Sequence, residues 1–451
     1  MGIRDLVDTV VIVMMENRSF DHMLGHLAYE GLLPDVDGVT APLRRDEYLN
    51  PGDDGRPYYP WVRPDGLLTC DLPHEWNYVE MQLGAVLDGR HAMDGFVKAY
   101  GRAAACKIAS DQVEPLGFCR SGDVPVSSFL ARSFACCDRW FCPIPTSTQP
   151  NKTVALTGDT PHFASHNGQI RGAGEMLPEW LERHDVRWRL YQESLSFFLL
   201  YQGKEYLALG PHARFTRDLL VDFRDEPDAT FPQVVIVEPG YGAIGFVPGL
   251  RTNDNHAPLA VAFGEEFLRR VYTAVTANPA RWAKTVMILT YDEHGGFWDH
   301  VPPPAIPFEV APPDAKTFQS MGPRVPGIVV SPLVEGGRVC HALLDHTSIL
   351  QLIGELFAGG RDQYSDRVSA RMAQGVESIS VALTRTAPVA EAPPPAPPPP
   401  LTAPALLHLP FDPNDVMQSA FADAAGALLT QHPAAVHDQF PELVQWQHER
   451  T

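Results

Sequence analysis

The sequence is organised around short, strongly apolar runs that stop abruptly on polar residues. The first run, Val10–Met15, ends at Glu16 and Asn17. Runs of this kind are rich in valine and isoleucine and too short for a membrane span, so they predict central strands of a parallel sheet. In an open α/β sheet, ligands bind beyond the carboxyl ends of the strands. Taken alone, Glu16 and Asn17 fit a ligand-binding strand end and an ordinary solvent-facing strand end equally well.

Two later runs repeat this pattern. Pro232–Val237 is a short apolar run, and Thr285–Thr290 is followed closely by Asp292–His294. Because the carboxyl ends of parallel strands lie on one edge of a sheet, polar clusters that are distant in sequence can converge there. The pattern predicts an α/β fold with a mainly parallel central sheet flanked by helices.

Composition limits the classes of function. The chain has 55 acidic and 35 basic residues, a formal net charge of −20. Nucleic-acid binding depends on basic surface, so no nucleic-acid partner is expected. The same negative field repels an anionic substrate, and a local cation would resolve that conflict.

Few features of the sequence indicate where in the cell the protein is located. No apolar run approaches the roughly 20 residues of a membrane-spanning helix, so no transmembrane segment is predicted. The N-terminus has no basic region or cleavage site, and Asp5 and Asp8 interrupt it, which predicts a cytoplasmic protein, with secretion by another route left open.

The seven cysteines lack zinc-type spacing and predict mainly reduced core residues, with one disulfide left open.

A hydroxyl-rich stretch lies between Pro145 and Pro150, and Thr148 is its third hydroxyl residue. Proline fixes the backbone, and the following Thr153–Leu156 segment predicts the start of a helix. A hydroxyl held just before a helix suits a nucleophile or a phosphate-binding group. Serine and threonine also cap helices at such positions, and on this stretch alone capping is the stronger interpretation.

Together the clusters predict metal-assisted ester cleavage. Crowded carboxylates resist ionisation unless a cation offsets their repulsion. A divalent ion would hold a phosphoryl oxygen and polarise a hydroxyl nucleophile, while His74 and His256 would transfer protons or stabilise charge. The residues alone therefore predict phosphoryl or sulfuryl ester cleavage. The oxygen donors at the two strand ends, suited to magnesium, calcium or manganese, are Glu16, Asn17, Asp292 and Glu293.

Six motifs appear in a characteristic order: Glu16–His22, Thr148–Lys152, Asn253–His256, Asp292–Val301, Gly322–Pro326 and Asp345–Ser348. In order and wording they resemble the phosphoesterase family, which contains bacterial phospholipases C, plant non-specific phospholipases C and some bacterial acid phosphatases. The resemblance extends in register over roughly residues 8–358, and several long motifs outweigh any single short match.

The resemblance implies an alkaline-phosphatase-like three-layer α/β sandwich with one divalent metal ion, for which calcium, magnesium, manganese and zinc are the candidates. By analogy, Thr148 is the nucleophile and also contacts the metal. The implied mechanism is attack of Thr148 on phosphorus, a phospho-threonine intermediate and its hydrolysis by water. The metal ligands implied by the family are Glu16, Asn17, Asp292, Glu293 and Thr148.

Further site residues are predicted in three groups. Lys152 stands where arginine is more common in the family, and His256 is followed by Ala257 and Pro258 instead of directly by proline. Around the phosphoryl and leaving groups, the predicted residues are Asn151, His74 and His256. The predicted substrate contacts are His294, Asn151 and Lys152. The residues predicted to orient the others are Asp254, Asp299 and His300, with a purely structural role left open for Asp299 and His300.

Three segments are predicted along the chain. Pro393–Pro400 is all proline except Ala396, so it is extended. The segments are a phosphoesterase catalytic domain at 1–384, a proline-rich linker or strap at 385–406 and a helical C-terminal appendage at 407–451.

The predicted function is phospholipase C-like hydrolysis of phosphate esters. A phospholipid head group is among the candidate substrates, and peripheral membrane contact and the oligomeric state are left open. The first alternative is an acid phosphatase acting on phosphomonoesters, because the pocket walls cannot be derived from loops 31–70 and 103–125. The second is a catalytically silent metal-binding protein whose proline-rich tail binds a partner. Thr148 beside all four predicted ligands argues against the second alternative.

Overall fold

A mainly parallel sheet of eight strands forms the centre of the molecule. The computed structural model describes residues 2–389, 391–398 and 410–450. The strands lie in the order β4-β3-β5-β1-β6-β7-β2-β8, and β7 alone among them runs antiparallel to its neighbours. In chain order they are β1 (Thr9–Met15), β2 (Ala135–Cys137), β3 (Trp188–Gln192), β4 (Ala213–Phe215), β5 (Val234–Glu238), β6 (Thr285–Tyr291), β7 (Gly327–Val330) and β8 (Arg338–Cys340).

Strand β1 is central because its sequence can be buried on both faces. It pairs in parallel with β5 and β6, and Met15 lies opposite Tyr291 in the register. All its residues but Met14 are buried, as expected for a β-branched apolar run inside a sandwich. The residues that follow β1 and β6 are therefore neighbours at one edge of the sheet.

Helices flank the sheet, so the predicted α/β class with a mainly parallel central sheet is confirmed. The longer helices are α1 (Phe20–Leu24), α2 (Trp76–Leu83), α3 (Phe96–Arg102), α4 (Pro125–Ser133), α5 (Thr148–Thr157), α6 (Leu177–Arg183), α7 (Leu219–Asp225), α8 (Ala262–Val275), α9 (Thr347–Phe357), α10 (Asp366–Ala373), α11 (Val416–Gln431), α12 (Pro433–Gln439) and α13 (Pro441–Arg450). Single helical turns lie at Ile3–Leu6, His26–Tyr29, Tyr206–Leu209 and Pro279–Trp282.

The helices fall into packed groups. Helices α5, α6 and α9 meet the sheet residues Ile12, Met14 and Ile236 around one pocket. Helix α8 packs against α4 and α7. Residues alternate between the two faces of a strand, so Ile12 and Met14 lie on one face of β1 and its odd-numbered residues lie on the other. The odd-numbered residues are also buried, so both faces of the sheet are covered. The result is the layered sandwich that the sequence predicts.

The segments between β1 and β2, which include α2 and α3, form a second hydrophobic cluster near the carboxyl edge. It contains Leu72, Val79 and Phe96, and Trp298 joins it from the segment after β6. The disulfide Cys70–Cys106 lies within these loops. The other five cysteines are buried and free, which confirms a mainly reduced set and resolves the open possibility of one bridge. The short strand pairs are Asn50–Pro51 with Pro57–Tyr58, Trp61–Val62 with Gly117–Phe118, Val86–Leu87 with Arg90–His91, and Phe308–Val310 with Lys316–Phe318.

The C-terminal part of the chain packs on the same core as the sheet. In the strap, residues 391–398 have no helix or strand, and Tyr272 Oη donates a hydrogen bond to Pro393 O at 2.7 Å. Residues 390 and 399–409 of the predicted strap and appendage lie outside the described residues. Phe421 of α11 is fully buried and stacks on Tyr241, with ring centres 5.6 Å apart. Across the described residues, no helix is long and apolar enough to cross a membrane.

Candidate active site and metal centre

The ends of β1 and β6 are joined by hydrogen bonds that backbone N–H groups donate. Asn17 N donates to Asp292 Oδ1 at 2.9 Å, and Arg18 N donates to Glu293 O at 3.1 Å. Glu293 N also donates to Asp292 Oδ1, at 2.8 Å. Glu16, Asn17, Asp292 and Glu293 are all buried, so the structure brings the four predicted ligands to one protein-lined edge.

Two glycines permit a close approach of three chain segments. Gly295 has φ +62°, and a Cβ there would lie 2.1 Å from Asn17 O. Gly296 has φ +75°, and a Cβ there would lie 2.7 Å from Pro73 O. Only glycine avoids both the positive-φ strain and these collisions. The loop that leads to His74 therefore lies directly against the strand ends.

Thr148 is the first residue of α5, not a residue before it. The predicted helix start at Thr153 is wrong because Pro150 falls in the first turn, where a missing N–H costs no helical hydrogen bond. The Thr148 hydroxyl is buried and donates to Asn17 Oδ1 at 3.4 Å. Of the three hydroxyls between the prolines, Thr148 is thus the one that meets the predicted ligands.

Asn151 holds the loop that precedes Thr148. Its Nδ2 donates to Thr146 O at 2.9 Å and to Ser147 O at 3.1 Å, while its Oδ1 accepts from Ile144 N at 3.2 Å. The amide is committed to the backbone of this loop. This geometry fits a positioning role better than the predicted phosphoryl contact.

Lys152 forms a buried ion pair with Glu16. Its Nζ lies 3.1 Å from Glu16 Oε1 and stands over the rings of Phe197 and Tyr241, at 5.1 and 4.7 Å from their centres. Burial opposes the charged state of both partners, but each favours ionisation of the other, so the pKa of Lys152 is raised and that of Glu16 is lowered. The lysine predicted to contact substrate is therefore in contact with a predicted metal ligand.

The amide of Asn17 lies between two imidazoles. Its Nδ2 is 3.3 Å from His74 Nε2 and 3.0 Å from His256 Nε2. On the opposite ring nitrogens, His74 Nδ1 lies 2.6 Å from Leu72 O and His256 Nδ1 lies 3.1 Å from Glu16 Oε2. In its neutral form with the proton on Nδ1, each ring can accept an Asn17 N–H at Nε2, and protonation of a ring replaces that hydrogen bond with a second N–H donor. The structure thus brings His74 and His256 to the same ligand.

Carboxylates around the histidines favour their protonated forms. Burial lowers the pKa of His74, but Glu293 and Asp71 overcome it and raise that pKa to about 9. Burial likewise opposes protonation of His256, yet Asp71 and Glu16 raise its pKa well above the usual value. Asp71 Oδ1 lies 3.2 Å from His256 Nε2, where it can accept the second proton of that ring. Two cationic imidazoles beside a hydroxyl can stabilise an anion and supply a proton.

Asp254 and His294 support their neighbours in sequence. Asp254 Oδ1 accepts from His256 N at 3.1 Å, and burial followed by the charge of Glu16 raises the Asp254 pKa to about 6. His294 Nδ1 lies 3.2 Å from Glu293 Oε2, and its Nε2 lies 2.7 Å from the amide oxygen of Gln82. His294 is fully buried between these partners, a placement that orients Glu293 and leaves little of its ring for a substrate.

Asp299 and His300 belong to a separate network centred on Arg324. Arg324 Nε donates to Asp299 Oδ1 at 2.8 Å, and its Nη2 donates to Asp21 Oδ1 at 3.1 Å. His300 Nδ1 lies 2.6 Å from Asp21 Oδ2, and its Nε2 lies 3.0 Å from Asp37 Oδ1. These contacts favour the structural role that the sequence left open for both residues.

The strand-end carboxylates fit a divalent cation. Asp292 Oδ2 and Glu293 Oε1 are buried without a hydrogen-bond partner, a costly state for carboxylates that lack a compensating charge. Burial, and then Glu16, raises the Asp292 pKa well above its usual range. Oxygen donors in this combination are those of magnesium, calcium or manganese sites. A bound ion would offset the repulsion and stabilise charge on a phosphoryl oxygen.

The acid and histidine groups that could hold a metal ion overlap only partly with the predicted ligands. Among the described residues, three acid–histidine groups each have donor atoms within 4.8 Å of one another, and Glu16 is the predicted ligand that occurs in them. Asp292 and Glu293 lie outside these groups. The three groups are Asp71–His74–His256, Glu16–Asp254–His256 and Asp21–Asp299–His300.

Two residues at the site were not identified from the sequence. Asp71 contacts His256 across 185 residues of chain, and its only sequence signal is its place three residues before His74. His346 Nε2 donates to Asp292 O at 2.6 Å, because its Nδ1 accepts from Trp140 Nε1 at 3.2 Å. His346 lies within the Asp345–Ser348 motif, but the motif does not indicate that His346 contacts the end of β6.

Solved structures resemble the chain only weakly. A glycosaminoglycan-locus sulfatase structure from Bacteroides thetaiotaomicron covers 86% of this chain and 78% of its own, with TM-score 0.41 and 10% identity. The phosphonate monoester hydrolase of Agrobacterium radiobacter covers 52% of this chain and 69% of its own, with TM-score 0.30 and 12% identity. Similarities at this level carry no argument about the chain.

Sequence relatives are much closer. Non-specific phospholipase C3 of Arabidopsis thaliana is 30% identical over 374 residues, which cover 78% of this chain and 69% of the relative. Non-hemolytic phospholipase C of Burkholderia pseudomallei is 30% identical over 425 residues, covering 81% of this chain and 56% of the relative. The Phosphoesterase family model matches residues 7–358, almost the span predicted from the motifs. The chain therefore belongs to the phosphoesterase family and is a hydrolase of phosphoric esters.

Proposed function

We propose that the protein is a metal-dependent phosphodiesterase of the phospholipase C type, with Thr148 as its nucleophile. The observation that carries this proposal is the Thr148 hydroxyl, 3.4 Å from Asn17 Oδ1, on an edge where Asp292 and Glu293 leave buried oxygens unpaired. The phospholipase C names of the relatives support the diester class. The catalytically silent alternative has no comparable support.

In the proposed reaction, Thr148 Oγ1 forms a bond to phosphorus as the bond to the leaving alcohol breaks. One of His74 and His256, in its neutral form, takes the Thr148 hydroxyl proton, and the other, in its cationic form, donates a proton to the departing oxygen, so the alcohol leaves neutral. Water then attacks the phospho-threonine and gives a proton to the second imidazole, while the first returns its proton to Thr148 Oγ1, which releases the phosphorylated head group and restores the hydroxyl. A divalent ion held by Glu16, Asn17, Asp292 and Glu293 would supply positive charge to the phosphoryl oxygens. Electrostatic stabilisation of this kind is usually the largest catalytic contribution.

Asn151, Lys152 and His294 act in this proposal through other residues. Asn151 fixes the loop before Thr148, Lys152 keeps Glu16 ionised, and His294 orients Glu293. The cytoplasmic location also stays a prediction. The Cys70–Cys106 disulfide weighs against it, because structural disulfides are typical of oxidising compartments.

The test compares Thr148→Val, Thr148→Ser and Thr153→Val on a chromogenic phosphodiester and the matching phosphomonoester. Thr153 lies in the same helix, and its hydroxyl bonds to Gln149 O, away from Asn17. We expect turnover of the diester to vanish in Thr148→Val and to survive in the other two variants. Wild-type turnover in Thr148→Val would overturn the nucleophile, and a clear preference for the monoester would overturn the diester class.

A further inference from the structure

Three aromatic rings surround the ammonium group of Lys316. Its Nζ lies 3.3 Å from the centre of the Trp76 ring, 5.0 Å from that of Phe163 and 4.9 Å from that of Phe318. The rings of Trp76 and Phe163 stand nearly perpendicular, at 84°. The faces of aromatic rings attract cations within about 6 Å, and several rings together form the cages that bind quaternary ammonium groups.

The cage is held together from three distant parts of the chain. Trp76 begins α2, Phe163 lies in the loop after α5, and Phe318 closes the Phe308–Phe318 hairpin that also carries Lys316. Trp76 and Phe163 are partly exposed and Phe318 is buried. The cage therefore has a packed base and an open side.

The cage adjoins the candidate active site on two sides. Trp76 follows His74 by two residues, and Phe163 O accepts a hydrogen bond from Thr146 Oγ1 at 2.8 Å, two residues before Thr148. Residues two apart in the chain are at most about 7.6 Å apart between Cα atoms. The cage is therefore built partly on the two chain segments that carry His74 and Thr148.

Lys316 is held by the rings and not by an ion pair. Among the described residues, no carboxylate lies within 4.0 Å of the Lys316 ammonium group. Lys284, by contrast, pairs with Asp8. Burial beside the rings lowers the Lys316 pKa, and the more distant Glu80 opposes that shift. A ligand cation could take the place of this ammonium without breaking a salt bridge.

We propose that Trp76, Phe163 and Phe318 form a subsite for a cationic ammonium group on the substrate alcohol, and that Lys316 is its internal competitor. The inference rests on the proposed phosphodiesterase function and extends it to the substrate class. When such a head group binds, the lysine side chain leaves the cage for solvent. The cage then favours phosphodiesters of amino alcohols over those of neutral alcohols, and Lys316 limits that preference.

The binding test uses tetramethylammonium chloride and calorimetry, so it does not depend on turnover. We expect Lys316→Met to bind this cation roughly 3- to 30-fold more tightly than the wild type, the span of one cation–π contact. Trp76→Leu added to Lys316→Met should abolish the gain, and Lys284→Met, a lysine paired with Asp8 at the opposite end of β6, should not produce it. Equal affinity in Lys316→Met and the wild type, with near-ultraviolet circular dichroism unchanged, would overturn the proposal.

The catalytic test compares a choline phosphodiester with an isosteric neutral diester. The ratio of their kcat/KM values should rise several-fold in Lys316→Met and fall back in Lys316→Met/Trp76→Leu. A ratio that is the same in both variants and the wild type contradicts the subsite. Turnover of neither diester contradicts the proposed function instead, and the cation-binding experiment then decides the subsite alone.

Discussion

Two buried clusters of carboxylates and histidines in this molecule differ in how their charge is compensated. In the network around Arg324, the guanidinium contacts Asp21 and Asp299, and His300 joins Asp21 to Asp37. At the edge formed by β1 and β6, Lys152 compensates Glu16, but Asp292 and Glu293 each leave a buried oxygen unpaired.

The comparison separates a structural cluster from one that requires a further cation. Buried charges are stable when they are paired inside the protein, and costly when they are not. The Arg324 network contains its own cation, so its carboxylates need no further one and removing that cation is costly. The strand-end carboxylates keep two buried oxygens without a hydrogen-bond donor although Lys152, His74 and His256 lie around them, which is the arrangement of a binding site.

The largest effect is expected on catalysis at the second cluster. Thr148→Val should lower kcat/KM on a phosphodiester by at least about 10³-fold, the scale of removing a nucleophile. Its free energy of unfolding should change little in comparison, and Thr148→Ser should keep measurable activity. Steady-state kinetics and urea unfolding of the same preparations measure both quantities. A parallel loss of stability and activity would place Thr148 with the structural cluster.

The largest effect on stability is expected at the first cluster. Arg324→Met removes the partner of two buried carboxylates and should cost about 3–5 kcal/mol in the free energy of unfolding. Arg338→Met, at an exposed position in β8, serves as the control and should cost under about 0.5 kcal/mol. Urea denaturation followed by circular dichroism measures the difference. Similar costs in the two variants would show that the network does not stabilise the fold.

The pH dependence of stability should report on His300. Burial lowers its pKa, but Asp21 and Asp37 raise it to about 10. Because the pKa is higher in the folded than in the unfolded state, this stability is fully present below about pH 6.5 and is lost as pH rises towards 10. We expect His300→Gln to remove about 2–4 kcal/mol at pH 6 and much less at pH 10. An equal cost at both pH values would contradict the ion pairing.

The smallest expected effect is the change in the free energy of unfolding when one aspartate of each cluster is replaced by asparagine. Its sign should differ between the two clusters. In chelator-treated protein, Asp292→Asn relieves repulsion with Glu16 and should stabilise the fold by about 0.5–2 kcal/mol, the usual gain when a strained functional residue is replaced. Asp299→Asn weakens the pairing with Arg324 and should destabilise it. Unfolding curves in chelator compare the two directly. Destabilisation by Asp292→Asn would mean that its carboxylate is already compensated.

The strand ends could be predicted because they depend on local pattern and sheet geometry. An apolar run that stops at Glu16 fixes a strand end, and parallel strands place Asp292 on the same edge. The motif order supplied Thr148 and His256, and the chemistry expected at such a site added His74. Each of these predictions needs only the residue type and its place relative to one strand or helix.

Side-chain partners across the fold could not be predicted in the same way. The pairing of Lys152 with Glu16 depends on where α5 begins, and the proline in its first turn hid that start. The Cys70–Cys106 disulfide joins loops whose path has no periodic signal. The separation of Asp299 from the site depends on Arg324, whose direction is set by packing between distant segments.

The metal content of the purified protein tests the central claim most directly. Wild-type protein, reconstituted with calcium, magnesium, manganese or zinc and desalted, is compared with Asp292→Asn/Glu293→Gln and Asp21→Asn/Asp299→Asn by elemental mass spectrometry. We predict one divalent ion per chain in the wild type, its loss from the first double variant and its retention in any folded fraction of the second. A stoichiometric ion that survives Asp292→Asn/Glu293→Gln, or no ion in the wild type under any of the four metals, would contradict a cation site at the ends of β1 and β6.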